Sequence, residues 1–589
     1  MFTAHKLATL AACTAIALSG CTSQQNTQLA PECKISEKPE ISESSITGLT
    51  LLGTYVADSQ FDTSAAEIVA YDECSDQLFV VNAQAKRVDV MALDTQNRPI
   101  KTAHIDLSTA GKMAGIEIGA ANSVSVHNGL VAVAIENQVK QKNGLIALYK
   151  AETLELVKTY PTGALPDMVS FSKDGRYIAT ANEGEPNADY TVDPEGSITL
   201  VDLASGIEQA KVSQISFKAF NQGESRHHEL TDSVRISAPG ATVAQDLEPE
   251  YLTFSDDGYL YVALQENNAL AKVDIESASI ASIYGLGGKS WETNTLDASN
   301  KDKKLGHFHS YPQLEGLYMP DSIASFQVDS HTYIATANEG DGREYGFKTT
   351  QNVCDERGFE WDENDFSGTE KYSSEQGFCI AYSDELRGKD LEVAASHPLK
   401  QSLSDKKQLG RLKVVKPTGA LEQEDTVYSF GSRSFSLWNE NGELVFDSGD
   451  EFADIVHTLD SEHLNSSNDS NNTADDRSDD KGVEPEAIEV ASINGRQYAF
   501  IGLERQGGIM IYDVSTPTAP MFINYVNNRD FSKPVCTQVS EGECANGTYN
   551  SEAGDLGPES IRYFTRSGQH LLAVGNEVSG TTSIYRIEL

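Results

Sequence analysis

Positive charge is scarce in this chain of 589 residues. Lys and Arg number 45 against 88 Asp and Glu, so the formal net charge is −43. The acidic residues are spread along the sequence rather than confined to a tail. Such a surface repels nucleic acid and anionic membranes and attracts cations. We therefore expect no nucleic-acid partner, although acidity of this kind can also serve solubility alone.

Long apolar runs are absent after the N-terminus. A short run at positions 7–17 follows Lys6 and is too short to span a bilayer, so residues 1–20 are read as a signal peptide. The following Leu18-Ser19-Gly20-Cys21 resembles the lipobox of bacterial lipoproteins, which implies cleavage before Cys21 and lipidation of its thiol. Thr22 is not the aspartate that holds many such proteins at the inner membrane. We expect an outer-membrane lipoprotein of the cell envelope, facing either the periplasm or the surface.

Cysteine is also rare, with eight residues in the chain. Cys13 lies in the signal and Cys21 takes the lipid, which leaves six. An even number in an exported protein favours disulfides over zinc-thiolate sites, whose ligand spacing is absent. Proximity in sequence predicts the pairs Cys33–Cys74, Cys354–Cys379 and Cys536–Cys544.

Several common site motifs are missing. The chain has no Gly-x-Ser-x-Gly elbow, no P-loop and no His-Glu-x-x-His motif. Its histidines lack ligand spacing and are interpreted as surface residues; they include His227, His228, His307, His309, His457 and His463. No standard nucleophile is predicted, and the catalytic residues, if any, stay unknown.

The chain does contain a repeated sequence motif. A carboxylate begins one strand, a tight turn follows, and a second strand ends on another carboxylate. In the clearest copy, Glu250 begins and Glu266 ends the motif. Antiparallel strands return the chain to the edge that it left, so the two side chains should lie side by side. Seven copies occur, of which the first two are weaker.

The repeat predicts the fold. Each copy reads as a unit of about four short strands separated by Gly, Asn and Asp turns, which indicates an all-β protein. Seven such units are typical of a seven-bladed β-propeller. The last unit supplies only three strands, while residues 49–56 form a strand without a neighbour. Pairing of 49–56 with 582–587 would close the ring, whereas a solenoid would leave the first strand unexplained.

The remaining segments complete the predicted domain map. Residues 21–48 form a polar tether and residues 49–589 the propeller. A large insertion at 340–426 interrupts the fifth blade and carries the Cys354–Cys379 loop. The Ser-, Asn- and Asp-rich stretch at 461–480 is predicted to be a loop too polar to pack.

In a propeller the innermost strand of each blade lines a central channel, so the repeat brings two rings of side chains to one mouth. The first ring holds the residues that begin the innermost strands: Glu67, Asn122, Asp167, Glu250, Asp321, Glu486 and Glu559. The second ring holds those that end the next strands: Asn82, Glu136, Glu183, Glu266, Glu339, Glu504 and Glu577.

Twelve carboxylates around one mouth cannot all be ionised without compensation. Divalent cations provide it, and ligands made only of oxygen favour Ca²⁺, or Mg²⁺, over zinc or copper. The alternative is that each carboxylate caps backbone N–H groups, but these positions avoid the Ser and Thr that capping also uses. The predicted metal ligands are Asp167, Glu183, Glu250, Glu266, Asp321, Glu339, Glu486, Glu504, Glu559 and Glu577.

Three arginines accompany these repeated motifs. Arg343 and Arg505 lie close to repeat carboxylates in sequence, and Arg433 lies in the segment Gly431-Ser432-Arg433. Each either neutralises the acidic mouth or binds an anionic, phosphate-bearing ligand. The sequence leaves both alternatives open.

Several blocks together resemble the choice-of-anchor I family. They are residues 181–186 (Ala-Asn-Glu-Gly-Glu-Pro), 246–250, 265–269, 337–341, 429–435, 477–482 and 576–581. The resemblance extends from about residue 49 to 589; Val483 stands where Pro is expected and Ser560 where Gly is expected. It implies a secreted or surface-anchored protein, and some family members are labelled alkaline-phosphatase-like. It supplies no catalytic residues.

Two functions follow as hypotheses. In the first, clustered Ca²⁺ ions polarise a phosphoester and activate water, while an arginine holds the phosphate. In the second, the protein is a non-catalytic, calcium-stabilised surface module that binds a partner at the same mouth, with the insertion as lid or docking element. The sequence is compatible with both.

Overall fold

The structure is a computed structural model that describes residues 38–362, 377–540, 543–544 and 548–589. Strands dominate it, which confirms the all-β prediction. No helix in these ranges is long and apolar enough to cross a membrane. The predicted signal peptide, the lipidated Cys21 and Cys33 lie outside the described residues.

The first part of the chain contains one strand that pairs with the end of the chain and three sets of four consecutive strands. They are β1 (Gly48–Val56); β2 (Val69–Asp72), β3 (Gln77–Asn82), β4 (Arg87–Leu93) and β5 (Pro99–Asp106); helix α1 (Ser108–Ala114); β6 (Ile118–His127), β7 (Leu130–Asn137), β8 (Asn143–Lys150) and β9 (Leu156–Ala164); β10 (Pro166–Phe171), β11 (Tyr177–Asn182), β12 (Ser197–Asp202) and β13 (Lys211–Ser216).

The middle part holds two further sets and the insertion. It comprises α2 (Val243–Asp246); β14 (Leu252–Phe254), β15 (Tyr259–Leu264), β16 (Ala269–Asp274) and β17 (Ser279–Gly285); β18 (Gly288–Ser290) and β19 (Leu314–Leu317); β20 (Ile323–Val328) and β21 (His331–Asn338); β22 (Glu344–Thr349), α3 (Gln351–Arg357), β23 (Glu360–Asp362), β24 (Gly377–Ser383), β25 (Glu385–Arg387), α4 (Lys400–Ser404), β26 (Lys413–Val415) and β27 (Val427–Ser429); β28 (Ser434–Asn439) and β29 (Leu444–Asp447).

The last part contains α5 (Glu451–Leu459); β30 (Pro485–Ile493), β31 (Arg496–Leu503), β32 (Ile509–Asp513) and β33 (Met521–Val526); β34 (Val539–Ser540) and β35 (Glu543–Cys544); β36 (Pro558–Arg566), β37 (Gln569–Asn576) and β38 (Thr581–Glu588). Short 3₁₀ turns lie at Ile207–Gln209, Lys218–Phe220, His227–Glu229, Gly388–Asp390 and Ser551–Ala553.

Seven four-stranded antiparallel sheets are present in the described ranges. Five are built from strands consecutive in sequence: β2–β5, β6–β9, β10–β13, β14–β17 and β30–β33. The fifth in chain order is β20-β21-β28-β29, with the insertion between its second and third strands, and the last is β1-β38-β37-β36. The predicted pairing of the first strand with the last is therefore present, with Gly48 opposite Glu588 and Val56 opposite Thr581.

The core is divided into slabs between neighbouring sheets, which gives the protein a propeller-like fold. Second and third strands are buried on both faces; along β7, residues Val131 to Ile135 are 0% exposed. One slab joins the first two sheets through Phe79 and Val133, and another joins the last sheet to the first through Leu571 and Leu78. Outer strands such as β5 alternate between buried and exposed residues because only one of their faces is covered.

The insertion does not stand alone. It shares a five-stranded sheet, ordered β18-β19-β27-β26-β25, with the segment that precedes the fifth set. This sheet and α4 enclose a separate core that includes Trp291, Leu314, Leu403, Leu409 and Val427. We call this unit the side subdomain. Its contribution from β18 and β19 was not predicted, since three- and four-residue strands carry little sequence signal.

The expectation that residues 461–480 are too polar to pack is wrong. The stretch has no strand or helix, yet Asn465, Asn468 and Ser478 are at most 2% exposed. It wraps around Arg529, whose Nε donates to Asn471 Oδ1 at 2.8 Å and whose guanidinium also donates to backbone carbonyls. Burial is possible because the polar groups satisfy one another.

Two predicted disulfides are confirmed. Cys354–Cys379 and Cys536–Cys544 are bonded, with Cα atoms 5.5 and 5.8 Å apart. Cys74 is also disulfide-bonded. Its predicted partner, Cys33, lies outside the described residues.

Candidate metal centre at the mouth

Each first-ring residue sits in a β-bulge. Pro166 of β10 pairs with Asn182 of β11, and Val169 pairs with Thr180, so two residues of β10 lie opposite one residue of β11. Asp167 is one of these two residues. Equivalent shifts occur around Asn122, Glu486 and Glu559. Bulges redirect the side chain of the extra residue.

In the other three copies, backbone hydrogen bonds at the start of the strand show the same bulge. Both Glu250 N and Tyr251 O bond to Ala263, so two residues oppose one. Glu67 and Asp321 repeat this arrangement opposite Val81 and Ala337. All seven repeats thus remove one residue from the ladder at the same place.

The two rings come together as a single electrostatic cluster. The pKa of Glu250 is raised well above its usual range by burial and by Glu266, Asp321 and Glu183. Burial, Glu577 and Asp167 act in the same direction on the pKa of Glu67. All ten predicted metal ligands belong to this cluster.

Burial dominates the acid–base behaviour of the cluster. It raises the pKa of Asp167, Glu266 and Glu339 to about 7. It raises further pKa values well above the usual range, namely those of Glu183, Asp321, Glu486 and Glu559. Near neutral pH these groups bind protons or require a nearby cation.

The rings differ in how their oxygens are satisfied. In the first ring, one buried carboxylate oxygen of each of Glu67, Glu250, Glu486 and Glu559 has no hydrogen-bond partner among the described residues. No first-ring carboxylate forms a salt bridge within those residues. Leaving a buried charged group unpaired is costly, so these oxygens are suited to a ligand that supplies positive charge.

Second-ring carboxylates mostly have partners. Glu136 Oε1 accepts from Ala120 N at 2.9 Å, Glu577 Oε1 from Ser64 Oγ at 2.6 Å, and Glu504 Oε1 from Asn468 at 2.7 Å. Glu266 keeps one buried oxygen without a hydrogen-bond partner among the described residues. Backbone capping, the alternative to metal binding, therefore describes Glu136 but not the first ring.

Two groups have metal-like spacing. Oxygen atoms of Asp321, Glu339 and Glu486 lie within 4.8 Å of one another, as do those of Glu339, Glu484 and Glu504. Single carboxylate oxygens at such separations can share one cation of the Ca²⁺ or Mg²⁺ type.

Lys481 and Arg505 already supply positive charge to the second group, and Lys481 contacts Glu339, which belongs to both groups. Lys481 Nζ lies 2.5 Å from Glu339 Oε1 and 3.7 Å from Glu484 Oε2. Arg505 Nε lies 3.1 Å from Glu484 and 3.0 Å from Glu504. Sequence reasoning missed Lys481 and Glu484, although Glu484 immediately precedes the Pro485-Glu486 repeat and Lys481 lies four positions before Pro485. A metal is thus better placed on the Asp321–Glu486 side.

The three predicted anion-binding arginines are engaged by the protein itself. Arg343 is 2% exposed; its Nε and Nη2 donate to Glu248 at 3.0 and 2.9 Å, and its Nη1 to Asp246 at 3.1 Å. Arg433 donates to three backbone carbonyls. Arg505 pairs with Glu484 and Glu504, as described above. Arg343 and Arg505 therefore neutralise carboxylates, whereas Arg433 is held by uncharged backbone carbonyls.

These features define an all-β, propeller-like protein whose repeat carboxylates converge in one buried cluster. The profile of the choice-of-anchor I domain matches residues 67–517. The chain belongs to the choice-of-anchor I domain family.

Two curated relatives are similar in sequence. The mesenchyme-specific cell surface glycoprotein of Strongylocentrotus purpuratus is 27% identical over 332 residues, which is 52% of this chain and 40% of that protein. Gigasin-3a of Magallana gigas is 30% identical over 190 residues, 30% of this chain and 64% of that protein. The chain thus spans 40% and 64% of the length of these relatives.

Among solved structures, the β-propeller domain of Myceliophteria thermophila Cps50 (Swd1) is similar, with a TM-score of 0.39 and 7% identity. The similarity covers 91% of this chain and all of that domain.

Proposed function

We propose that this protein is a surface-anchored, seven-bladed β-propeller whose mouth binds divalent cations, Ca²⁺ in particular, and that it acts as a calcium-stabilised binding module. The observation that carries the proposal is the set of buried, unpartnered carboxylate oxygens in the first ring.

The contacts between sheets support seven blades in a ring. The first strands touch in chain order: β2 with β6, β6 with β10, β10 with β14, β14 with β20, β20 with β30, β30 with β36, and β36 with β2 again. The last blade takes its fourth strand from β1. A closed ring of this kind leaves no unpaired edge between the first and last blades.

The donor set favours a hard cation. Carboxylate oxygens are the preferred ligands of Ca²⁺, which accepts six to eight of them in flexible geometry. Asp321, Glu339 and Glu486 would provide the nearest group, and the free oxygens of Glu250 and Glu559 would complete the charge. A bound cation would also replace the protons that burial otherwise forces onto these groups.

The arginines favour binding over phosphoester hydrolysis. A phosphate entering the mouth would face carboxylates, and Arg343 and Arg433 already donate to acceptors inside the protein. Hydrolysis by metal-activated water remains the competing function, because it needs no protein nucleophile.

The location rests on the lipobox-like sequence and on the relatives. One relative is named a cell surface glycoprotein. Lipidation of Cys21 would hold this chain at the outer membrane of the cell envelope through its polar tether, residues 22–48.

Metal counting on the purified mature protein tests the function. After dialysis against CaCl₂ and removal of free ion, elemental analysis should find calcium bound to the parent and less in Glu486→Gln. The matched control is Glu136→Gln, whose carboxylate caps Ala120 N. Turnover of phosphomonoesters or phosphodiesters by the calcium-loaded parent, lost in Glu486→Gln, would replace the binding module with the hydrolase; absence of bound calcium would overturn both.

A further inference from the structure

Two distant segments meet on the side subdomain. Residues 299–311 precede β19, and residues 398–408 contain α4. Ser299 Oγ donates to the carbonyl of Lys406 at 2.8 Å, and Arg411 Nε donates to Asn300 Oδ1 at 3.1 Å. Both segments are fixed by the subdomain core.

Each segment exposes three lysines. The six are Lys301, Lys303, Lys304, Lys400, Lys406 and Lys407. Within the described ranges none of them forms a salt bridge with a carboxylate, although acidic residues outnumber basic ones two to one in the whole chain. Their accumulation here is therefore not explained by local neutralisation.

The acidic residues of the two segments are already engaged. Asp302 is hydrogen-bonded to His307 Nδ1, and its Oδ1 accepts from Lys304 N at 2.9 Å. Asp405 Oδ1 accepts from Lys407 N at 2.9 Å. Among acids outside the segments, Asp476 lies within electrostatic reach of Lys301.

A groove runs between the segments. The cavity measures about 460 Å³, and its polar lining includes Lys304, Lys407, His307, His309, Ser402 and Gln408 together with the carboxylates of Asp302 and Asp405. His309 Nε2 lies 2.9 Å from His307 Nε2, and Lys304 Nζ lies 3.3 Å from the same atom. The His307 ring is held by Asp302 and its neighbours, so the groups left for a ligand are the lysine ammonium, hydroxyl and amide donors, which are suited to oxyanions.

We propose that this groove binds an anionic polysaccharide carrying sulfate or phosphate esters. The net charge of −43 does not prevent this, because at physiological ionic strength charges more than about 8 Å away are largely screened. Six lysines on two flanking segments match a ligand with several anionic groups along a chain better than a single ion.

A sugar polymer fits the surface better than a lipid bilayer. Serine and glutamine side chains in the groove can bond to sugar hydroxyls. Membrane docking also buries apolar side chains, and among the large apolar residues of the two segments only Leu305 is exposed, at 36%. The groove lies apart from the mouth residues, so the inference is independent of the cation proposal.

The test uses the purified mature protein with immobilised dextran sulfate, and neutral dextran as the matched ligand. We expect binding to dextran sulfate alone, weakened as NaCl is raised. The triple variant K301Q/K304Q/K407Q should lower the affinity about tenfold or more, since one lysine near an anionic surface contributes about fivefold.

The control variant is K86Q/K112Q/K211Q, which removes three exposed lysines elsewhere. It should change the affinity less than about twofold. Equal losses in the two triple variants would overturn the groove assignment, as would failure to bind dextran sulfate at low salt. Stronger binding to anionic phospholipid vesicles than to dextran sulfate, lost in the groove variant, would overturn the polysaccharide assignment. All variants should keep the parent's Tm because the substituted lysines are exposed.

Discussion

Replacing Glu486 and Glu559 with Gln tests how the mouth is stabilised. The two side chains share a hydrogen bond, and each also has a buried oxygen without a partner. Burial and neighbouring carboxylates raise both pKa values well above the usual range. Gln keeps the shape and the hydrogen-bonding capacity but removes two charges, so metal binding and backbone capping give different outcomes.

The magnitude follows from linkage. Calcium at 100 times its dissociation constant stabilises the folded state by about 2.7 kcal/mol. Because the entropy of unfolding is about 2.1 cal/mol/K per residue, a propeller of this size should gain about 2–3 °C in Tm. Without metal, the variant should melt at a higher temperature than the parent near neutral pH, since glutamine avoids the proton uptake that folding imposes on the two buried carboxyl groups.

Differential scanning calorimetry in EDTA and in calcium measures both effects. The parent should show the calcium-dependent rise in Tm, and Glu486→Gln/Glu559→Gln should lose it. Glu136→Gln, the capped control, should retain it. An equal calcium response in the parent and the double variant would refute the reasoning, as would a double variant less stable than the parent in EDTA.

Four further outcomes are expected. In EDTA, thermal scans from pH 5 to 8 should show the stability of the fold decreasing as the pH rises. Burial raises the folded pKa of Glu266 to about 7, so its contribution to stability is fully present below the unfolded pKa and is lost as the pH rises through the folded pKa. Calcium should flatten this slope, and a flat profile in EDTA would contradict the prediction. Arg343→Ala should lower the free energy of unfolding in urea by about 3–5 kcal/mol, because it leaves buried carboxylates unpaired. The control Arg176→Ala removes an exposed ion pair and should lower it by less than about 1 kcal/mol. Similar losses in the two variants would refute this prediction. Deleting residues 48–56 should expose the edge of β38 and cause aggregation in light scattering, whereas a monomeric product would argue against closure. Thiol titration of the unfolded, unreduced mature protein should find essentially no free thiol, because lipid blocks the Cys21 sulfur and the other six cysteines are paired; free thiols from those six would contradict the predicted pairs.

The repeat was sufficient to predict the four-stranded sheets but neither the side subdomain nor the bulges. A carboxylate beginning one strand and another ending the next are visible in sequence, as at Glu250 and Glu266. The extra residue in each ladder is not, because a bulge depends on which backbone groups pair across the strands. For the same reason, sequence alone could not separate the capped Glu136 from the unpartnered Glu559.

Long-range partners account for the other misses. Lys481 is ordinary in sequence, and its role appears only when the fold places it against Glu339, 142 positions away. Residues 461–480 looked too polar for burial because Arg529, which donates hydrogen bonds to this stretch, lies about sixty positions away in sequence. The lysine groove arises where two segments about a hundred positions apart meet, while His307 and His309 alone carry no ligand pattern.

Isothermal titration calorimetry of the chelated mature protein with CaCl₂ at pH 7 tests the central claim most directly. The account predicts saturable binding at millimolar or lower concentration with release of protons, seen as a dependence of the heat on the buffer, because calcium displaces protons from buried carboxyl groups such as Asp167. No saturable binding, or binding without proton release that persists in Glu486→Gln/Glu559→Gln, would contradict the claim that the mouth is a calcium site.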